Sequence, residues 1–208
     1  VPHQFIIMKL HFGEMTMPMC LIARENETTV KNLLIAFESE SNAYARYTAF
    51  AAKADCDGLH GTASLLRAIA RSEQIHAANH ARVIRQLGGE AEAQLQPVEV
   101  KTTLENLTAA LGDEIYEIDS MYPRFLVENR SADNSAARTL TWALEAEKIH
   151  ARLLSEEIRR MESGGAESLA TEPVEFKIRP VCGYISKAPE LERCWVCDRY
   201  CAKFETVQ

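Results

Sequence analysis

The chain has no basic excess. Lys and Arg number 23 against 30 Asp and Glu, a formal net charge of −7 over 208 residues. Binding along a phosphate backbone needs a cationic face that displaces counterions, so no nucleic-acid partner is expected. No uninterrupted apolar run reaches the roughly 20 residues of a membrane-spanning helix, so no membrane partner is expected either. The first 22 residues are rich in methionine (Met8, Met15, Met17, Met19). Lys9, Glu14 and Pro18 interrupt them and no cleavage-site pattern follows, so they do not read as a signal peptide. Cysteine is scarce before position 182, where only Cys20 and Cys56 occur. Thiols clustered at one end of a chain without an export signal point to metal ligation before disulfides, and to a cytoplasmic location.

What the chain does have is a duplicated spacing. Glu40 is followed 33 residues later by Glu73-x-x-His76, and Glu114 is followed 33 residues later by Glu147-x-x-His150. A single Glu-x-x-His is a weak signal, but a Glu at the same offset before both copies sharpens it. The midpoint of the first pair falls in the breaker segment Asp55-Cys56-Asp57-Gly58. The midpoint of the second falls beside the polar run Ser131-Ala132-Asp133-Asn134. If each half is a helical hairpin, its two glutamates lie equally far from the turn and face each other. Residues i and i+3 share a helix face, so each His points with its Glu. Four carboxylates and two imidazoles then meet at one level of a four-helix bundle, the ligand set for a pair of iron or manganese ions.

The expected elements follow from apolar periodicity and punctuation. Helices are expected over Val30 to Lys53, preceded by N-capping groups in Asn26-Glu27-Thr28-Thr29, then over Thr62 to Leu87, Thr102 to about Asn129, and Asn134 to Met161. Thr102-Thr103-x-Glu105 reads as a capping box, Gly88-Gly89 as a helix stop, and Pro123 as a kink inside the third helix. The stretch Glu90 to Val100 is long for a hairpin and suggests a crossover along the bundle. β-prone pieces occupy Val174 to Ile178, Gly183 to Ile185 and Lys203 to Val207. The organisation expected is an extension over 1–27, a bundle over 28–162, a linker over 163–173 and a small Cys-bearing module over 174–208. The fold class is mainly α. Glu117 has no symmetry mate, since Ala43 stands at its counterpart, and a seventh carboxylate hints at ligand exchange. His80, one turn beyond His76, is assigned no ligand role. Asp57-x-x-His60 is expected to be solvated, and Cys56 and Trp142 to pack.

The fragments Glu40-Ser41-x-Ala43-x-x-Arg46-Tyr47, Ser72-Glu73-x-x-His76-Ala77, Glu114-x-Tyr116-Glu117-x-x-x-Met121-Tyr122-Pro123 and Glu145-x-Glu147-Lys148-x-His150 resemble the four helix motifs of the rubrerythrin family. The resemblance spans about residues 28–208. It implies a ferritin-like four-helix bundle with two Fe ions that reduces hydrogen peroxide to water, usually as a homodimer. Electrons would come through a rubredoxin-like centre or from an external donor such as rubredoxin or a reductase. By the same resemblance Glu73 and Glu147 bridge the irons, Glu40 is terminal on one, and Glu114 and His150 serve the other. His76 and Glu117 alternate on the mobile iron, while Tyr47 and Tyr122 orient carboxylates or bound peroxide. The alternative function is ferroxidase or iron-handling chemistry.

The tail departs from that pattern. The resemblance implies a rubredoxin-like module with two Cys-x-x-Cys knuckles around one iron. Cys194-Trp195-Val196-Cys197 supplies one knuckle. In the other, Arg179-Pro180-Val181-Cys182, an arginine stands where a cysteine is expected. Cys182, Cys194 and Cys197 remain, with Cys201 as a substitute ligand and Cys20, or a thiol of a partner subunit, as a weaker one. One Fe, one Zn or no metal are all open readings of this site.

Overall fold

A computed structural model describes residues 19–129, 134–164, 171–187, 193–200 and 204–208. Five α-helical segments build four bundle helices: α1 Met19–Cys56, α2 His60–Gln86, α3 Thr103–Tyr116 with α4 Tyr122–Glu128, and α5 Asn134–Glu162. Between α3 and α4 the chain makes one π turn, Glu117–Met121, in which the Tyr122 N–H bonds back to the Glu117 carbonyl. α1 packs along α2 and α3 along α5, so each pair forms a hairpin. The turn of the first hairpin lies at Asp57-Gly58. That of the second, over 130–133, lies outside the described residues.

One of these boundaries departs widely from the sequence expectation. α1 starts at Met19 rather than Val30, and Asn26 to Thr29 lie inside it. Residues that favour caps carry only a small penalty inside a helix, so these do not interrupt it. The local disruption expected at Pro123 falls just before the proline, in the π turn. Pro123 itself sits in the first turn of α4. The Thr102–Glu105 capping box is present as expected.

From Gly89 to Thr102 the chain has no regular structure and runs along the bundle. Asn42 pins it there, donating to the Gln94 carbonyl and accepting from the Gln96 amide. Leu66, Ile69, Leu107 and Leu154 fill one end of the core, and Leu33, Ile84, Phe125 and Leu140 fill the other. Each such side chain contributes roughly 1.5–3 kcal/mol through burial.

Three short strands, β1 Phe176–Ile178, β2 Ile185–Ser186 and β3 Glu205–Val207, form an antiparallel sheet in the order β2-β1-β3. Phe176, Ile178 and Ile185 enter the same apolar cluster as Leu65, Leu66 and Ile69 of α2. Arg71 grips Glu205 with two nitrogens, Ser64 accepts the Val174 amide, and Asn79 donates to the Val181 carbonyl. The tail is thereby laid along α2, against the Glu73–His76 turn. No helix among the described residues is long and apolar enough to cross a membrane.

Candidate metal centre

Six of the seven expected bundle ligands converge. Glu40, Glu73, His76 and Glu147 form one buried group; Glu73, Glu114, Glu147 and His150 form another. In each, ligand atoms lie within 4.8 Å of one another. Glu73 and Glu147 belong to both groups and therefore lie between two ligand-lined points. The His76 and His150 rings stack 5.9 Å apart across them.

The atoms crowd without satisfying each other. His150 Nδ1 lies 2.6 Å from Glu147, 3.2 Å from Glu73 and 3.5 Å from Glu114. Yet His150 Nδ1, both Glu147 oxygens, Glu40 Oε2, Glu73 Oε1 and Glu114 Oε2 lack a hydrogen-bond partner among the described residues. Short separations without bonding geometry mean that the lone pairs aim at shared points. Burying carboxylates unpaired costs several kcal/mol each, so the site calls for cations. Four carboxylates with two neutral imidazoles offset two dications in full. These residues fit a dinuclear iron site.

Electrostatics agree. Burial, then repulsion from Glu147 and Glu73, holds the Glu40 carboxyl well above its usual range. Burial does the same to Glu114, helped by Glu73 and Glu147. Burial also opposes ionisation of Glu147, but the attraction of the nearby His76 and His150 rings outweighs it and carries the group down. The two imidazoles are disfavoured as cations by burial, yet neighbouring carboxylates raise both well above the ordinary histidine value. A dication bound among these groups would take over the charge balance, so metal binding and proton release are coupled here.

Two phenols cross between hairpins. Tyr47 of α1 donates to Glu114 Oε1 at 2.9 Å, and Tyr122 of α4 donates to Glu40. Tyr47 follows Glu40 by seven residues, whereas Tyr122 follows Glu114 by eight. The π turn absorbs the extra residue, so both phenols reach equivalent places. Nothing in the apolar periodicity revealed this turn.

His76 is oriented from outside. Its Nε2 lies 3.2 Å from the Cys182 carbonyl. A carbonyl only accepts, so Nε2 carries a hydrogen, and Nδ1 is the nitrogen turned toward the ligand-lined point. Glu117 is buried but belongs to neither ligand group; Ser39 holds its Oε1 at 2.5 Å. His80, given no ligand role, does have a place. It is fully buried, with Thr139 Oγ1 3.1 Å from Nδ1 and the Tyr122 hydroxyl 3.2 Å from Nε2. Burial, reinforced by His76, lowers its pKa to about 3, so the ring stays neutral. Because Tyr122 donates to Glu40, hydrogen-bond direction runs Thr139 to His80 to Tyr122 to Glu40. Its i+4 spacing from His76 was the available signal.

Elsewhere, Cys182, Cys194 and Cys197 form a buried trio packed against Trp142, which packs as expected. His60 is half-exposed and pairs with Asp55 at 2.9 Å. Cys56, expected to pack, is exposed, because it ends α1 at the hairpin turn. Cys201 lies outside the described residues, as does the side chain of Cys20.

A four-helix bundle that buries two carboxylate–imidazole groups sharing two glutamates is a ferritin-like dinuclear-metal protein. The profile of the Rubrerythrin family matches residues 31–158. Rubrerythrin-2 of Clostridium acetobutylicum is 33% identical over 183 residues, 87% of this chain and 97% of that protein. Nigerythrin of Nitratidesulfovibrio vulgaris is 33% identical over 175 residues, 83% of each. The structure of fully reduced, all-ferrous nigerythrin superimposes with a TM-score of 0.74 at 30% identity, over 86% of each chain. A Desulfovibrio desulfuricans bacterioferritin shares the fold, with a TM-score of 0.67 at 23% identity over 72% of this chain and 91% of that one. The chain belongs to the rubrerythrin family.

Proposed function

We propose that this protein is a non-haem di-iron peroxidase that reduces hydrogen peroxide to water in defence against oxidative stress. The observation that carries the reading is the pair of buried ligand groups with their unpartnered, convergent lone pairs. Family membership supports it. When bound, a ferrous pair supplies the two electrons that convert one peroxide and two protons into two waters.

The chain's own residues do the rest. Glu73 and Glu147, common to both groups, would bridge. Glu40 with His76 would complete one position, and Glu114 with His150 the other. Tyr122 and Tyr47 donate to Glu40 and Glu114 and hold them in place. The apolar ends of the bundle keep bulk water away. Glu117, parked on Ser39, is the carboxylate that would exchange with His76. The physiological partners of this reading are peroxide, a separate electron donor and a second copy of the chain in a homodimer.

Two measurements test it. Glu73→Ala and Glu147→Ala should each abolish iron binding in the bundle; two bundle irons per chain in either variant overturns the ligand assignment. Stopped-flow oxidation of the reduced protein should be much faster with hydrogen peroxide than with oxygen. Equal rates would favour ferroxidase or iron-handling chemistry instead.

A further inference from the structure

The four-cysteine iron centre expected of the tail does not fit the residues present. The two knuckles have matching backbone bonds. In the second, the Cys194 amide donates to the Arg199 carbonyl and the Asp198 amide to the Cys194 carbonyl. In the first, the Arg179 amide donates to the Tyr184 carbonyl and the Gly183 amide to the Arg179 carbonyl. The offsets are identical, and the fifth residue of each knuckle, Gly183 or Asp198, has a positive φ of 79° or 55°. Arg179 therefore occupies the backbone position of Cys194, and the fourth corner of the site belongs to an arginine.

That arginine is not displaced to solvent. It is 2% exposed, donates from one terminal nitrogen to the Arg199 carbonyl at 2.6 Å, and lies 5.5 Å from the Phe204 ring centre. No carboxylate pairs with it and its Nε has no partner among the described residues. A buried guanidinium needs a counter-charge. The three cysteines share its site: Cys182 lies in the same knuckle, and Cys194 and Cys197 in the matching one. Their sulfurs lie within 4.8 Å of one another, and Cys182 Sγ is 3.7 Å from Cys194 Sγ. That separation matches the edge, about 3.8 Å, of a tetrahedron with roughly 2.3 Å metal–sulfur bonds.

We infer that Cys182, Cys194 and Cys197 hold one divalent cation, zinc or ferrous iron, that Arg179 neutralises and locks against oxidation. Three thiolates around a dication carry one net negative charge, which the guanidinium cancels. Oxidising the ion would leave one net positive charge in the site. Relative to four thiolates, losing one sulfur anion and gaining a guanidinium makes the surroundings more positive by two charges, and net charge is a principal determinant of such potentials. The module is then a cap rather than a relay. It holds the His76 ring through the Cys182 carbonyl, and the bundle's electrons come from a separate one-electron donor.

The test uses the full chain expressed with iron and zinc both supplied, followed by metal analysis, visible absorption and electron paramagnetic resonance after ferricyanide treatment. One thiolate-bound divalent ion per chain and no ferric–thiolate absorption is expected. Arg179→Cys, expressed with iron alone, should gain that absorption, and Cys182→Ser should lose the ion while keeping the bundle metals. A ferric–thiolate band in the oxidised native protein would overturn the inference. So would three alkylatable thiols with no metal in the native tail. Repeating the count in Glu147→Ala separates this outcome from failure of the bundle assignment, because the tail ion should persist there.

Discussion

The Ser39 hydroxyl donates to Glu117 Oε1 at 2.5 Å, and this bond keeps a buried carboxylate out of the two groups that face the metal positions. Burial and the repulsion of Glu40, Glu147 and Glu114 push the Glu117 carboxyl well above its ordinary range. Ser39 holds in reserve a group that would otherwise crowd four other acids.

Ser39→Ala should therefore release Glu117. Losing one hydrogen bond to a buried acid should cost about 1–3 kcal/mol, read by thermal denaturation of the metal-free protein. A crystal structure of the variant with zinc in the bundle should find Glu117 turned toward His76. Glu117 still at its native place would refute the latch.

Gly183 stands at φ 79° with its Cα against α2, and an added Cβ would run into His76 Nε2 and Ser72 Oγ. Gly58 has a similar φ of 74° with open space around it. Gly58→Ala should cost about 1 kcal/mol from backbone strain alone. Gly183→Ala should cost more and raise hydrogen exchange in the tail, because the knuckle must lift from His76. Equal melting shifts in the two variants would show that the close approach is unimportant.

His80→Phe removes the donor behind Tyr122 while keeping a ring in the cavity. Bundle iron should stay near two per chain, and the rate of oxidation by peroxide should fall roughly tenfold to a hundredfold, as for other groups that orient ligands. Combining it with Tyr122→Phe should add little further loss, since both act on Glu40 through one path. Additive effects would separate His80 from that path.

Cys56 is exposed and Cys182 and Cys194 are not. Alkylation of the native protein followed by peptide mass mapping should label Cys56 within minutes and leave Cys182 and Cys194 unlabelled until a chelator and denaturant are added.

Much of the candidate site is legible in the sequence. Glu40, Glu73, Glu114, Glu147, His76 and His150 announce themselves because metal ligation by antiparallel helices imposes equal offsets from each turn and an i, i+3 spacing. The capping box at Thr102 was equally legible, since cap chemistry is local. The π turn was not. It costs one residue in a helix whose apolar pattern is otherwise unbroken, and only the seven-versus-eight spacing to Tyr47 and Tyr122 betrays it. Nor could the start of α1 be read, because Asn26 to Thr29 suit a helix interior as well as a cap.

By itself, the sequence determined which side chains can hold the metals and which knuckle lost its cysteine, because helix period and motif offset are properties of neighbouring residues. Tertiary structure alone decided what those side chains do to one another. It set Tyr47 on Glu114 and Tyr122 on Glu40, gave Glu117 to Ser39, ran the His80 chain to Glu40 and laid the Cys182 carbonyl on His76. Each of these pairs joins residues more than 40 positions apart. Such contacts form only when separate elements pack, and no local pattern encodes the side chain that will lie opposite. The buried Arg179 belongs to the same class: its identity was plain in the chain, but its burial emerged only when the two knuckles were folded together.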